Sequence, residues 1–412
     1  MAHGNKVLVG QSGGPTAAIN ASLAGVFSTA SSLGLDVIGM RYGIQGLLDG
    51  RTVRLSHYLS RPLDAKFLRM TPASWLGSCR YKLPDVEQDD APYRQLMDIF
   101  GELGVGSVLY IGGNDSMDTI HKLSLYGDAV GSPIRFVGVP KTIDNDLVGT
   151  DHTPGFGSAA KFIATTMAEV ARDSDVYDLK SVTFVEIMGR DAGWLAGSAC
   201  LAGTSESPCP DLVLLPEAPV TEDQLIERLS TLLGEKNTVV VAVSEGLRRP
   251  DGTLMCEQWE RAADGSRLDA FGHVASLSGT SRYLASVVRS ELGCKTRAVE
   301  LSTLQRCASH IASATDLDEA FRQGGAGVLA ASDGRTGVMC ALERMTNHPY
   351  VVESVLADVH EVANKARPVP RDWIAEDGMS VTSRFEDYAR PLIGGEVSQV
   401  YIDGIPRHIE SL

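Results

Sequence analysis

The chain has 412 residues, more than one hydrophobic core usually organises, so two packed units are expected. Hydrophobic residues make up 43% and charged residues 22%, with a mean hydropathy of -0.01, a balance that sets aside disordered and fibrous classes. Lys and Arg number 37 against 52 Asp and Glu, a net charge of -15; with no clustered basic patch to oppose it, nucleic acid is not expected as a partner.

The chain passes from "MAHGN" directly into a strand-like run, with no cleavable apolar segment. Short β-branched runs then recur: "KVLVG" from Lys6, "DVIGM" from Asp36, "GSVLYIGG" from Gly106, "IRFVGVP" from Ile134, "SVTFVEIMG" from Ser181, "DLVLL" from Asp211 and "NTVVVAVSEG" from Asn237. Continuous apolar strands of this kind belong to a parallel sheet covered on both faces. Between them the periodicity predicts helices over Thr16–Ser32, Tyr93–Glu102, Asp115–Leu125, Ser158–Arg172, Thr221–Leu233 and Ser281–Leu292. Strand and helix alternate, which predicts a doubly wound α/β fold. The polar segment Arg248–Ser266 reads as an excursion outside the sheet. No apolar stretch approaches the roughly 20 residues that span a bilayer. The seven cysteines are scattered and never spaced C-x-x-C, so neither a zinc site nor a disulfide framework is suggested, and a reducing, cytoplasmic setting without membrane contact is expected.

In open α/β sheets ligands bind at the carboxyl ends of the strands, where helix N-termini converge. Here those ends read "GQSGGPT", "YIGGNDS", "VPKTIDND", "EIMGRDAGW" and "VSEG". In the first, Gly13 and Gly14 can bring backbone N–H groups onto a phosphate, or can simply form a strand-to-helix turn. In the second, Asn114 and Asp115 stand at a helix start, where one of Asn114, Asp115 and Ser116 is expected to serve as an N-cap. In the third, Asp144 and Asp146 alternate along a short extended segment, suited to a general base beside a group that orients a metal, and Lys141 adds a compact cation for a phosphate oxygen; an Asx-rich turn is the plainer alternative. Arg190 and Glu245 close two further strands, and Arg297 and Arg306 flank a short apolar run.

Taken in order, "SGGPTAAIN", "LGSCRYK", "GGNDS", "PKTIDNDLVGTD", "MGRDAGWLA", "SEG" and "KTRAVELSTLQR" make the chain resemble the phosphofructokinase family, specifically its pyrophosphate-dependent members. The resemblance implies two Rossmann-like doubly wound lobes. Residues 1–157 with about 305–365 would hold the phosphoryl donor, and 158–304 with about 366–412 the sugar phosphate. It implies Mg2+-dependent, reversible transfer from pyrophosphate to the 1-hydroxyl of fructose 6-phosphate in glycolysis or gluconeogenesis, by a homodimer or homotetramer. Asp144 matches the family's base, Thr142 and Asp146 its orienting residues, and Lys141 the lysine that reaches the donor. Gly13, Arg80, Lys82, Gly113, Asn114 and Asp115 fall in donor-lining segments, with Asn114, Asp115 and Asp146 as metal positions. Met188, Gly189, Arg190 and Glu245 match the sugar pocket, and Arg297 and Arg306 the cations on its remote phosphate.

Two positions bear on the donor. Where ATP-using relatives usually carry glycine, this chain has Asp115, which would obstruct an α-phosphate, and Lys141. Three positions depart from the family pattern: Asn114 replaces a metal-associated aspartate, Thr303 replaces a histidine, and Ser181, preceded by Lys180, replaces an arginine often supplied across a subunit interface. Lys180, or Tyr388 and Arg390 in "DYARPLIGG", is expected to supply the missing charge to the sugar phosphate. An ATP-dependent 6-phosphofructokinase is the nearest alternative, and a non-catalytic phosphosugar-binding regulator the alternative of another class. The NAD kinases share a GGD-type loop but lack the combination of "PKTIDND", "MGR" and the two arginines.

Overall fold

A computed structural model describes residues 4–204, 206–257 and 277–412. Its strands form two main sheets. The larger contains β1 (Lys6–Gln11), β2 (Asp36–Met40), β3 (Thr52–Arg54), β4 (Val105–Gly112) and β5 (Arg135–Pro140). The smaller contains β6 (Ser181–Ile187), β7 (Leu212–Leu214), β8 (Thr238–Ser244) and β9 (Lys295–Glu300). A late hairpin, β10 (Val338–Asn347) and β11 (Tyr350–Asp358), returns to the larger sheet, giving the order β11-β10-β5-β4-β1-β2-β3; the smaller runs β7-β8-β6-β9.

Successive side chains alternate between faces, and both faces find a core. On β1, Val7 and Val9 enter one hydrophobic cluster and Leu8 the other; on β8, Val239, Val241 and Val243 point one way and Val240 and Ala242 the other. Such double burial is what parallel strands wrapped by helices require. The parallel expectation holds for β1, β2, β4, β5 and all four strands of the smaller sheet, whereas the edges differ: β3 pairs antiparallel with β2, and β11 with β10.

Four elements carried no clear periodic signal. β9, "KTRAVE", is a half-exposed edge strand, so its pattern is too polar to read as buried. The hairpin β10–β11 leaves much of β11 exposed. The Pro62–Met70 helix is short. The Ala314–Ser332 helix carries three glycines because it lies directly on the Ile19–Ser32 helix: a Cβ at Gly324 would stand 2.0 Å from the Ser22 carbonyl oxygen, and one at Gly25 would stand 1.9 Å from that of Phe321. Glycine here serves close helix approach at a cost in intrinsic helix propensity. The first long helix begins at Ile19, not Thr16, because the Thr16 hydroxyl accepts the Ile19 N–H at 2.9 Å and caps it from outside. Of the excursion at Arg248–Ser266, residues 258–266 lie outside the described residues.

The topology fixes where ligands can enter. From β1 the chain moves out to β2 and β3, then returns to place β4 on the other side; likewise β6 is flanked by β8 and β9. Each reversal opens a crevice at the strand carboxyl ends. The first crevice collects the turns after Gln11, Gly112 and Pro140, the second those after Ile187, Ser244 and Glu300. Among the described residues no helix is long and apolar enough to cross a membrane.

Candidate active site

The two crevices open into adjoining cavities. One, of about 270 Å³, is lined by the "SGG" turn, Cys79–Tyr81, Gly113–Ser116 and Lys141, Thr142, Asp144 and Asp146. The other, of about 620 Å³, includes Glu186–Met188, Arg190, Glu245, Ser302, Thr303, Gln305 and Arg306. Arg80, Asp115 and Asp144 line both. Two carboxylates and a guanidinium thus stand where contents of the two chambers would meet.

The smaller chamber is built mostly from backbone. Gly13 adopts φ +75°, a conformation glycine reaches without strain, and its N–H donates to the Cys79 carbonyl at 3.2 Å, which ties the Arg80 segment to the turn. The Asn114–Ala129 helix starts at the chamber wall, with Gly113 in the N-cap position and no side-chain cap. The expected capping by Asn114, Asp115 or Ser116 is therefore not how this helix begins. Gly113–Ser116, at this helix start, line the cavity, and a helix N-terminus favours an anion beside it.

Lys141 is 2% exposed and donates to the Gly14 carbonyl at 2.7 Å. Burial pushes its ammonium down to about 8, with Asp144 and Asp146 pulling the other way and Arg306 and Arg80 reinforcing the fall. Burial likewise raises Asp144, opposed by Lys141 and by the Thr142 hydroxyl, which lies 3.3 Å from Oδ2 and accepts the Asp144 N–H at 3.1 Å. Asp146 is raised to about 6 by burial and by Asp144. A buried cation beside two carboxylates whose ionisation burial disfavours is incomplete without a further ligand, and a polyanion with its counter-ion would complete it.

Asn114, the substituted aspartate position, has a clear place. Its Nδ2 donates to Asp146 Oδ2 at 3.4 Å, whereas its Oδ1 is buried with no hydrogen-bond partner. A second carboxylate there would face Asp146 with no donor between them; the amide supplies one donor and leaves one neutral oxygen free. Asp146 with that oxygen makes a fitting pair for a small hard cation, which keeps waters and phosphate oxygens for its remaining positions. Among the described residues no three acidic, His or Cys side chains converge on a metal position. Asp115 is instead held 3.0 Å from Lys82 at the exposed mouth.

In the larger chamber, Gly189 has φ +133° and a Cβ there would stand 2.6 Å from the Ala192 carbonyl oxygen, so only glycine permits this turn. Its N–H donates to Glu245 Oε1 at 3.3 Å, and Met188 N–H to Gln305 Oε1 at 3.2 Å. Burial raises Glu245 to about 7. Arg306 reaches from this side toward the other: a Cβ on Gly14 would lie 3.6 Å from its Nη1.

Five residues singled out in the sequence fall outside both chambers. Arg297, in mid-β9, pairs with Asp173 on the outer edge of the smaller sheet, so it does not join Arg306 within one chain. Ser181 opens β6 and Met188 follows its end, which puts Lys180 and Ser181 at the opposite end of the strand from the site. Arg390 is paired with Glu386 at the surface, and the Tyr388 hydroxyl is engaged by Asn145 and the Asp151 carbonyl. Sequence reading missed Asn145, Ser302 and Gln305. Asn145 and Ser302 carry positive φ, and the asparagine between two aspartates was the signal available for the first.

A sequence model of the family described as Phosphofructokinase matches residues 6–330. The chain belongs to the phosphofructokinase family. This phosphofructokinase-family chain is 39% identical over 412 residues to a pyrophosphate–fructose 6-phosphate 1-phosphotransferase of Xanthomonas campestris, covering 99% of this chain and 96% of the relative. It is also 39% identical to the enzyme of that name from Halomonas elongata, covering 96% and 94%. The crystal structure of a pyrophosphate-dependent phosphofructokinase from Marinobacter aquaeolei superposes with a TM-score of 0.87 at 36% identity, covering 98% of this chain and 96% of that one.

Proposed function

We propose that this chain transfers a phosphoryl group from pyrophosphate to the 1-hydroxyl of fructose 6-phosphate, giving fructose 1,6-bisphosphate and phosphate, in a reaction that runs in both directions. The observation that carries this reading is Asp144, buried beside Lys141 at the junction of the two cavities. Pyrophosphate occupies the smaller chamber, against Gly13, Gly113, Lys141 and Arg80, whereas Lys82, expected beside the donor, lines the larger chamber; the larger sheet's unit serves as donor lobe. The sugar phosphate occupies the larger chamber, against Met188, Gly189, Arg190, Glu245 and Arg306.

Asp144 takes the proton of the 1-hydroxyl as that oxygen attacks the near phosphorus. The new O–P bond forms while the bridging P–O bond breaks, and inorganic phosphate departs with the electron pair. Phosphoryl transfer asks mainly for alignment and for positive charge around the transferring oxygens. Lys141, Arg80 and Arg306 supply that charge, and Thr142 holds Asp144 in place. Mg2+ would fit here, held by Asp146 and the Asn114 amide oxygen, and would supply positive charge that offsets the charge of the donor. Asp115, paired with Lys82 at the mouth, stands where a nucleotide would need to continue beyond its terminal phosphates, and so acts against ATP. Arg297, on edge strand β9 and paired with Asp173 of its own chain, would serve a sugar phosphate only in a second copy of the chain, as a homo-oligomer would allow.

A donor assay tests this reading. Turnover with pyrophosphate and negligible turnover with ATP are expected; efficient turnover with ATP alone would overturn it.

A further inference from the structure

The segment "TIDND" bends at Asn145, which is fully buried and left-handed, with φ 54°. Asparagine tolerates this conformation better than most residues, but it is held only where surrounding contacts fix it. Here they do. Asn145 Oδ1 accepts the Thr153 N–H at 3.0 Å, its Nδ2 donates to the Tyr388 hydroxyl at 2.8 Å, and its carbonyl accepts from Arg367 Nη2 at 3.2 Å. The bend sends its two neighbours different ways: Asp144 lines both chambers and Asp146 only the smaller one, where it meets Asn114.

The Tyr388 hydroxyl is itself fixed. It donates to the Asp151 carbonyl at 2.7 Å, Arg344 lies 4.6 Å from the centre of its ring, and the rings of Trp194 and Trp373 pack at 5.4 and 5.1 Å. Arg344 also donates to the Tyr388 carbonyl at 2.9 Å, and the Arg367 N–H to that of Asp146 at 2.7 Å. A single phenol oxygen, presented by a helix near the end of the chain, thus anchors the residue between the two working carboxylates.

We propose that Tyr388 is a positioning residue for phosphoryl transfer: its hydroxyl locks the left-handed Asn145 and thereby aims Asp144 at the sugar hydroxyl. The proposal rests on the reading of Asp144 as the base. It replaces direct contact between Tyr388 and the sugar phosphate, and the two roles predict different kinetics. A lost direct contact raises KM for the sugar phosphate. A lost aim lowers kcat, because misplacement on the order of 1 Å can cost about a hundredfold while the sugar subsite stays intact.

Tyr388→Phe keeps the ring and removes only the anchoring oxygen. Asn145→Gly keeps the left-handed backbone and removes both side-chain bonds, and it carries the test if the first variant does not fold. Each is expected to lower kcat about 10–100-fold with KM for fructose 6-phosphate within about twofold. Wild-type kcat in Tyr388→Phe would overturn the proposal, as would a raised KM at unchanged kcat. Asp144→Ala serves as the reference. If it is inactive while Tyr388→Phe behaves as wild type, positioning alone fails; if Asp144→Ala turns over normally, the reading of the base fails first.

Discussion

The two chambers are made differently. The smaller is a set of glycine turns, a helix N-terminus and a lysine 2% exposed, whose charges all lean on one another. The larger is a wide cavity walled by side chains from several strands, with its carboxylate Glu245 tied to a backbone N–H. Burial makes the difference functional: in the smaller chamber the ammonium of Lys141 and the carboxylates beside it are costly to keep charged without a ligand, so the chamber selects a compact, highly charged occupant. The larger selects by shape and by a few fixed polar groups.

The sharpest way to break this contrast is at Asp144, one of the residues both chambers share. Asp144→Ala should lower kcat roughly 10²–10⁴-fold, about 2.7–5.4 kcal/mol of transition-state stabilisation, with KM for either substrate changed far less. Steady-state kinetics in each substrate would show it, and an equal loss through KM would mean that Asp144 binds instead of reacting.

Next in size is the donor. Asp115→Gly with Lys141→Gly removes the obstructing carboxylate and the buried cation together. Pyrophosphate turnover should fall at least tenfold while ATP turnover becomes measurable. If pyrophosphate use falls and ATP use stays undetectable, the mouth at Asp115 is not what excludes the nucleotide.

A smaller effect separates the chambers by pH. Lys141 has its folded pKa depressed to about 8 in the free protein, so its charge is present below that value and lost above it; Asp146, raised to about 6, is charged above that value and protonated below it. kcat/KM for pyrophosphate should therefore fall on both sides of the window from about 6 to about 8, by up to tenfold per pH unit for each group. Glu245, raised to about 7, should give kcat/KM for fructose 6-phosphate an acid limb that begins higher, near pH 7. Lys141→Arg, a permanent cation, should move only the alkaline limb of the pyrophosphate profile.

This contrast also decides what the chain could reveal unaided. The smaller chamber was legible because its parts are local: a strand, a glycine pair and a helix start lie within ten residues, and Lys141, Thr142, Asp144 and Asp146 within six. The sheet order was not, nor were its antiparallel edges, because hairpin β10–β11 joins the first sheet after the chain has built the second. Arg297 and Arg306 look like partners across a short run, yet β9 directs the first to the outer edge and the turn after it brings the second inward. The tie between Asn145 and Tyr388 spans 243 positions, and no local pattern announces it.

The smallest expected effect concerns Arg390. In sequence it sits two residues past Tyr388, in the segment expected to supply charge to the sugar phosphate. In the fold it forms an i,i+4 pair with Glu386, both about half exposed, and it lines neither chamber. Exposed pairs of this kind contribute about 0.3–0.5 kcal/mol, and salt screens them. Arg390→Ala should therefore leave KM for fructose 6-phosphate within about twofold of wild type, whereas Arg306→Ala, which removes a cation facing both Gly14 and the larger cavity, should raise it at least tenfold. Matched sugar-phosphate titrations of the two variants give the answer. A tenfold rise with Arg390→Ala would mean that the tail reaches a sugar site in another copy of the chain, and the larger chamber would then be a product of assembly where the smaller is complete within one fold.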